Sequence, residues 1–306
     1  MQHPSLSSEN KQNLLVGSIY VLIAAVGFSA KAVIIKLAYG YSTQVDAVTL
    51  MALRMLMALP VFLWVGFWQG KKKGQIFTLK DLLRVLILGG LGYYLASFLD
   101  FTGLKFISAG LERVILFLYP TFVVLLSALI FRKPITLREM LALLLSYAGM
   151  IWVFQENMQQ GSSDVIKGSS LVLASAICFA LFLMGSGMMV KRIGSGRFTA
   201  YSMTVACIAT LVHFVSVHDV TLLKLPSPVY YLAALMALFS TVIPAFLMNA
   251  GIQRIGSGTA SMISSVGPIG TLILAYIFLG EQLSSAQIVG TFLVLTGVFI
   301  ASRAKS

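Results

Sequence analysis

Residues 110–131 read GLERVILFLYPTFVVLLSALIF, and residues 258–279 read GTASMISSVGPIGTLILAYIFL. Both stretches begin with glycine, are about long enough to cross a bilayer, and carry a proline at the same internal position, Pro120 and Pro268. A proline inside a helix removes one backbone N–H and leaves the carbonyl four residues earlier without its donor. The two stretches therefore predict a pair of membrane helices, each broken near its middle.

The composition of the whole chain indicates a membrane protein. Its 306 residues are 58% hydrophobic and 10% charged, with a mean hydropathy of +0.92, whereas soluble domains are about 25% charged. A surface this apolar would aggregate in water, so we expect membrane lipid as a partner that takes the place of water around it. The net charge of +12 would suit nucleic-acid binding in a soluble protein. Here the basic residues lie mainly between apolar runs, where they set membrane orientation, so we expect no nucleic-acid partner.

Ten apolar segments follow one another along the chain and predict an all-α membrane protein with ten transmembrane helices. Helices are expected because a spanning helix satisfies its own backbone hydrogen bonds where no water is present. The first segment extends past any signal-peptide cleavage site and carries Lys31 and Lys36, so we expect it to remain as a membrane helix. The segments are 14–38, 46–68, 82–102, 109–131, 137–154, 168–190, 198–217, 229–252, 258–279 and 285–302.

The distribution of lysine and arginine predicts the orientation of these helices. With a cytoplasmic N-terminus, fifteen of the 22 basic residues fall in inside segments, as the positive-inside rule requires. We therefore expect both termini, residues 1–13 and 303–306, to be cytoplasmic, in what we expect to be a bacterial inner membrane. The inside residues are Lys11, Lys71, Lys72, Lys73, Lys80, Arg84, Arg132, Lys133, Arg138, Lys191, Arg192, Arg197, Arg254, Arg303 and Lys305.

An internal repeat appears when residues 82–152 are laid on residues 230–300 without gaps, at an offset of 148. Ten positions are identical, and they include Pro120 on Pro268 and several glycines at helix ends. Five helices in each half is an odd number, so the second half must cross the membrane in the opposite sense to the first. The expected units are a first repeat at 14–154, an extracytoplasmic linker at 155–167 and a second repeat at 168–302.

Six charged residues fall within or near the ends of predicted helices, and all six belong to the first repeat. On insertion scales, such a charge costs about 2.5–3.5 kcal/mol at a helix centre. Four positive groups stand against two carboxyls, so an anionic group on a ligand would balance the excess. Four of the six lie near helix ends, and for these the alternative is that they reach the membrane surface or form structural pairs. They are Lys36, Asp100, Glu112 and Arg113. The six are Lys31, Lys36, Arg54, Asp100, Glu112 and Arg113.

The charges and the two proline breaks together define a predicted pathway for a substrate and for ions. Broken helices at matching depths in inverted repeats are typical of a binding site near the midplane, although kinks that only shape packing are the alternative. Either carboxyl is also a candidate to exchange a proton. The predicted pathway residues are Lys31, Lys36, Arg54, Tyr94, Asp100, Glu112, Arg113, Tyr119, Pro120, Ser264, Ser265 and Pro268.

The sequence offers no catalytic or cofactor motif. Cys178 and Cys207 lie inside apolar runs and the three histidines lack ligand-like spacing, so we expect no disulfide, metal or cofactor. Neither a nucleotide-binding loop nor a hydrolase or metalloprotease motif occurs. The chain is thus expected not to be an enzyme, and transport would draw on a gradient. An intramembrane enzyme, a channel and a non-transporting scaffold are the alternatives.

Several stretches resemble the drug/metabolite transporter superfamily, in its ten-helix EamA-type branch, over about residues 14–302. They are residues 31–37 (KAVIIKL), residues 52–54 (ALR), the two glycine-led helices with their prolines, and residues 278–281 (FLGE). The chain departs from the family at Lys31, where a small polar residue is usual, and at the Glu112-Arg113 pair. The resemblance implies a secondary transporter in the cytoplasmic membrane, often an exporter of amino acids or other small metabolites, that works by alternating access.

Overall fold

The computed structural model describes residues 8–71, 77–132, 134–159, 164–218, 224–264 and 266–303, and these residues form helices and no strands. Two π-helical turns, Gly90–Leu95 and Leu238–Val242, interrupt longer helices. The α-helices are α1 (Ser8–Tyr41), α2 (Ala47–Gly70), α3 (Leu79–Gly89), α4 (Ala96–Gly103), α5 (Ala109–Leu116), α6 (Tyr119–Phe131), α7 (Leu137–Gln159), α8 (Val165–Ile193), α9 (Ser195–Val217), α10 (Ser227–Ala237), α11 (Ile243–Ser264), α12 (Gly267–Leu279) and α13 (Ser285–Arg303).

These helices make the ten apolar crossings that the sequence predicts. Eight helices in the described residues are long and apolar enough to cross a membrane, and two shorter apolar helices complete the ninth and tenth crossings. The predicted connection between the eighth and ninth segments contracts to one non-helical residue within α11, Gly256, at φ 78°. Glycine suits this position because a side chain disfavours positive φ. The predicted all-α membrane fold is thereby confirmed, while the opposite orientation of the two repeats stays a prediction.

The fourth and ninth crossings are both broken, but each proline stands at the start of a new helix. α5 ends at Leu116 and α6 starts at Tyr119, with Pro120 in its first turn; α12 likewise starts with Pro268 in its first turn. Proline is tolerated there because the first N–H groups of a helix have no intrahelical acceptor. Each crossing thus consists of two helical segments joined by a short break.

The irregular features recur at the offset of 148 residues that the sequence repeat shows. The two π-helical turns begin at Gly90 and Leu238, in the third and eighth crossings. A π-helical turn takes one more residue per hydrogen bond than an α-helical turn, and in proteins it is frequent at functional sites. These turns were not predicted, because the apolar pattern of the sequence is continuous through both of them.

The two halves pack against each other through long antiparallel helix pairs. α1 runs along α11 and the turn before it, so that Gly17 lies against Ile255 and Gly27 lies against Pro244. Comparable pairs form between α2 and α9, between α4 and α8, and between α7 and α13. Each half therefore completes its packing with helices of the other half.

Polar contacts also join the halves at the ends of the helices. Asp81, which caps α3 together with Thr78, forms a 2.6 Å ion pair with Arg192 at the end of α8. At the start of α2, Asp46 lies 2.9 Å from His218 at the end of α9. Burial raises the pKa of Asp46, but hydrogen bonds with Thr49 and His218 outweigh burial and hold the pKa below its usual value.

A close backbone approach between α7 and α13 gives a test of this packing. A methyl group added at Gly149 would lie 2.5 Å from the carbonyl oxygen of Gly290, whereas one added at Gly187 in α8 would meet nothing within 4 Å. Overpacking of this kind costs typically about 1–3 kcal/mol. We therefore expect Gly149→Ala to lower the midpoint of thermal unfolding of the purified protein in detergent.

The matched control is Gly187→Ala, which adds the same methyl group to a helix with free space around it. Alanine is favoured over glycine inside helices, so this variant is expected to unfold at the parent temperature or slightly above it. Equal midpoints for both variants would contradict the close approach of α7 and α13.

Candidate functional site

A central cavity of about 140 Å³ lies where the irregular segments of both halves meet. Its wall includes both π-helical turns and both helix breaks, together with parts of α1, α2, α8 and α9. Several lining residues are repeat partners of each other, such as Leu116 with Ser264 and Tyr119 with Gly267. Both the regular helices and the irregular segments therefore contribute residues to the wall of the cavity.

The two helix breaks are held together by hydroxyl groups. Tyr119 Oη lies 3.0 Å from Ser264 Oγ, and this contact joins the fourth crossing to the ninth. Ser29 of α1 donates a hydrogen bond to the carbonyl of Gly267 at 2.9 Å, and Thr271 donates to the carbonyl of Ser29 at 3.0 Å. The breaks are therefore ordered parts of the wall.

Three cationic side chains line this cavity, and two of them have partners in the protein. Lys31 Nζ forms a 2.6 Å ion pair with Asp100 Oδ2. Arg113 donates a 2.6 Å hydrogen bond to the carbonyl of Phe28, and its Nε lies 3.8 Å from Glu112 Oε2. Lys31 and Arg113 each bring their charge to the cavity wall while a carboxyl group lies behind it.

Arg54 is the third cation, and its position differs from the other two. The residue is 3% exposed and lines the cavity from α2, with its guanidinium carbon 4.7 Å from the centre of the Phe101 ring. Its Nε and Nη2 atoms find no hydrogen-bond acceptor among the residues that the structure describes. Burying an unpaired donor on a charged group is costly. A ligand anion that reached these nitrogens would supply the missing acceptors.

Asp100 and Glu112 form a pair of buried carboxyl groups behind the cavity wall. Each lies close enough to feel the charge of the other. Asp100 Oδ1 and both Glu112 oxygens have no donor among the described side chains and backbone groups. Ionised carboxylates only accept hydrogen bonds, so a hydrogen bond between these two needs a proton on one of them. Like charges at these two positions repel, so the pair is a candidate to take up a proton.

The part of the wall that the second half contributes is uncharged. It presents the hydroxyls of Ser240, Thr241 and Ser264 beside apolar groups. Ser240 Oγ is buried and has no hydrogen-bond partner within the described part of the chain. The cavity is therefore cationic on the side of the first half and neutral on the side of the second half.

The structure brings five of the predicted pathway residues to the cavity and places the others elsewhere. Those lining the cavity are Lys31, Arg54, Arg113, Tyr119 and Ser264. Those outside its wall are Lys36, Tyr94, Asp100, Glu112, Pro120 and Pro268. Ser265 lies outside the described residues.

Lys36 and Tyr94 have surroundings of their own. Tyr94 Oη lies 3.0 Å from His213 Nδ1 in α9. Lys36 lies near the negative charge of Glu281, which follows α12. That carboxylate accepts hydrogen bonds from the N–H groups of Ala109 and Gly110 at 2.9 and 3.2 Å, at the positive N-terminus of α5. Glu281 therefore links the second half to the first.

Several lining residues were missed from the sequence. Phe28 and Phe179 both line the cavity, and the available signal was that each phenylalanine stands eleven residues after the glycine of a Gly-Ser pair, at 17–18 and at 168–169. Tyr93 lines the cavity, whereas the hydroxyl of its neighbour Tyr94 lies against His213. No group of three or more His, Cys, Asp or Glu side chains in the described residues is arranged to hold a metal ion.

Comparison with known proteins gives the family. The model of the EamA-like transporter family matches this chain twice, at residues 15–155 and 166–303. An uncharacterized transporter of Bacillus subtilis (strain 168), YcbK, is 35% identical over 304 residues, which cover 92% of each chain. A second one from that organism, YyaM, is 27% identical over 254 residues and 81% of each chain. A crystal structure with 16% identity superposes with a TM-score of 0.64 over 97% of this chain and 99% of its own, and so shares the fold. The chain is an integral membrane protein and belongs to the EamA-like transporter family.

Proposed function

We propose that the protein is a secondary transporter that exports a small polar metabolite with a negative charge, either an amino acid or an organic anion. The observation that carries this proposal is Arg54, a buried cation on the cavity wall whose Nε and Nη2 lack acceptors among the described residues. Planar guanidinium groups bind carboxylates and phosphates with paired hydrogen bonds. The substrate's anionic group would be bound by Arg54, in a cavity that Lys31 and Arg113 also line.

Alternating access is proposed because the cavity lies between two halves that touch through separable contacts. The Asp81–Arg192 ion pair joins the halves at one end of the bundle, and Glu281 joins them at the N-terminus of α5. Rocking of one half against the other would break one set of contacts and keep the other. The substrate would then meet one side of the membrane at a time.

The proposed location is a bacterial inner membrane, with both termini in the cytoplasm. In support, Arg192 and Arg197 lie beside the end of α2 and the start of α3, all of which the predicted topology places inside. Cytoplasmic ends of membrane helices are enriched in such residues. Export is proposed because the family resemblance implies it. The comparison of metabolites in medium and cytosol measures the direction of transport.

Proton coupling is proposed through Asp100 and Glu112. The carboxyl pair contacts two of the three cations that line the cavity, because Asp100 pairs with Lys31 and Glu112 lies beside Arg113. A proton on this pair would change the charge that a bound anion meets. Substrate binding and proton binding would therefore influence each other.

The Arg54 proposal is tested in cells by comparing the metabolites in medium and cytosol with mass spectrometry. Cells with the parent protein are expected to accumulate a small anion or amino acid outside. Arg54→Met keeps the aliphatic length of the side chain and removes its charge, so we expect at least a tenfold smaller outside-to-inside ratio of that compound.

The control variant is Lys105→Met, which removes one positive charge from an exposed position outside the cavity wall. At matched membrane abundance it is expected to export like the parent. An unchanged ratio in Arg54→Met would disprove the assigned role of Arg54, and enrichment inside the parent cells would show uptake.

The carboxyl pair is tested by the pH dependence of transport once a substrate has been found. Glu112→Gln and Asp100→Asn replace a titrating group with a neutral amide of similar shape. We expect the parent rate to vary with pH and the Glu112→Gln rate to vary at least threefold less over the same range. The measurement is uptake into liposomes at fixed substrate gradients. The same pH profile in both variants and the parent would exclude proton coupling through this pair.

A further inference from the structure

The described residues that line the cavity include three cations and no Asp or Glu. This composition distinguishes the two substrate classes that the proposed function leaves open, amino acids and organic anions. An organic anion needs only the cations, whereas an amino acid also carries an α-ammonium group. Within a low-dielectric site, an ammonium needs an anionic or strongly polar partner.

The two nearby carboxyls do not line the cavity. Asp100 Oδ2 is already 2.6 Å from Lys31 Nζ, and Asp100 is itself 1% exposed. Glu112 is fully buried and is also absent from the cavity wall. A ligand's ammonium would therefore meet Lys31 and Arg113 before it met either carboxyl, and like charges repel.

Much of the remaining wall, apart from its hydroxyl groups, is suited to an apolar body. Phe28, Phe117 and Phe179 line it together with the thioethers of Met55, Met203 and Met248. Aromatic and methionine side chains contribute apolar area, and methionine adapts to ligands of different shape. A ligand with its anion at Arg54 would bury its hydrocarbon part against these groups.

From these observations, which rest on the proposed function, we infer that the transported substrate is an organic acid with an apolar body and no ammonium group, carried as its anion. The anion binds Arg54 in the cavity, and the apolar body packs against the phenylalanine and methionine side chains. Amino acids are discriminated against because the cavity wall repels their ammonium group.

The inference is tested with two ligand pairs whose members differ only in the α-ammonium group. They are 3-phenylpropanoate with L-phenylalanine, and hexanoate with L-norleucine. Dissociation constants are measured by calorimetry on the intact purified protein in detergent at pH 7. We expect each organic acid to bind at least tenfold more tightly than its amino acid. The neutral amide 3-phenylpropanamide is expected to bind at least tenfold more weakly than 3-phenylpropanoate.

The outcomes separate this inference from the proposed function. Equal or tighter binding of the amino acids would overturn the inference and leave transport of a charged metabolite standing. Failure of both organic acids to bind, or binding of the amide as tight as that of the acid, would also overturn it. The proposed function is tested separately, by the export measured in cells.

Variants give a second test, because one substitution is expected to weaken binding of the organic acid and another is expected to favour the amino acid. Arg54→Met is expected to weaken 3-phenylpropanoate binding at least tenfold, with Lys105→Met as the control at the parent affinity. Ser240→Asp places a carboxylate on the neutral part of the wall, where the serine hydroxyl has no partner among the described groups. It is expected to shift the affinity ratio at least fivefold towards L-phenylalanine. If Ser240→Asp leaves the ratio of the two affinities unchanged, then the lack of an anionic partner in the wall is not the basis of selectivity, and the inference is wrong.

Discussion

A charge buried in the hydrocarbon region must be paired, hydrogen-bonded or placed against water, and this constraint orders the centre of the protein. Lys31 meets it through Asp100, and Arg113 meets it through a backbone carbonyl and Glu112. These pairings fix α1, α4 and α5 relative to one another. Arg54 lies against the face of Phe101 and near the charge of Asp100, and its Nε and Nη2 find no acceptor among the described residues.

The scaffold around these charges is similar in its two halves, whereas the charges are not. Helix breaks and π-helical turns recur 148 residues apart, and both sets reach the cavity. The cations all come from the first half, and the second half adds hydroxyl and apolar groups. This division separates two requirements of a transporter: a pair of similar halves that can rock, and a binding site with a polar end and an apolar end. A site of that kind suits a substrate with one charged group.

The helices and their breaks could be predicted from the sequence because length, apolarity and proline position act locally. The buried charges could also be recognised, since a cation within an apolar run is conspicuous. Their pairings could not, because Lys31 and Asp100 are 69 residues apart. The same holds for Glu281, whose carboxylate caps a helix of the other half. Tyr93 could not be distinguished from Tyr94, because the sequence does not show which of two adjacent side chains faces the cavity. The local sequence pattern thus predicted the helices and their breaks. The arrangement of the site depends on contacts between distant segments, which the pattern does not show.

The central claim is that the cavity beside Arg54 binds the anionic group of the substrate. It is tested most directly by a crystal structure of the intact protein with 3-(4-bromophenyl)propanoate, located by the anomalous scattering of bromine. The account predicts one bromine peak inside the cavity lined by Phe28 and Phe179, with the carboxylate within hydrogen-bonding distance of the Arg54 guanidinium. A ligand bound elsewhere, or one in the cavity with its carboxylate turned away from Arg54, would contradict the account.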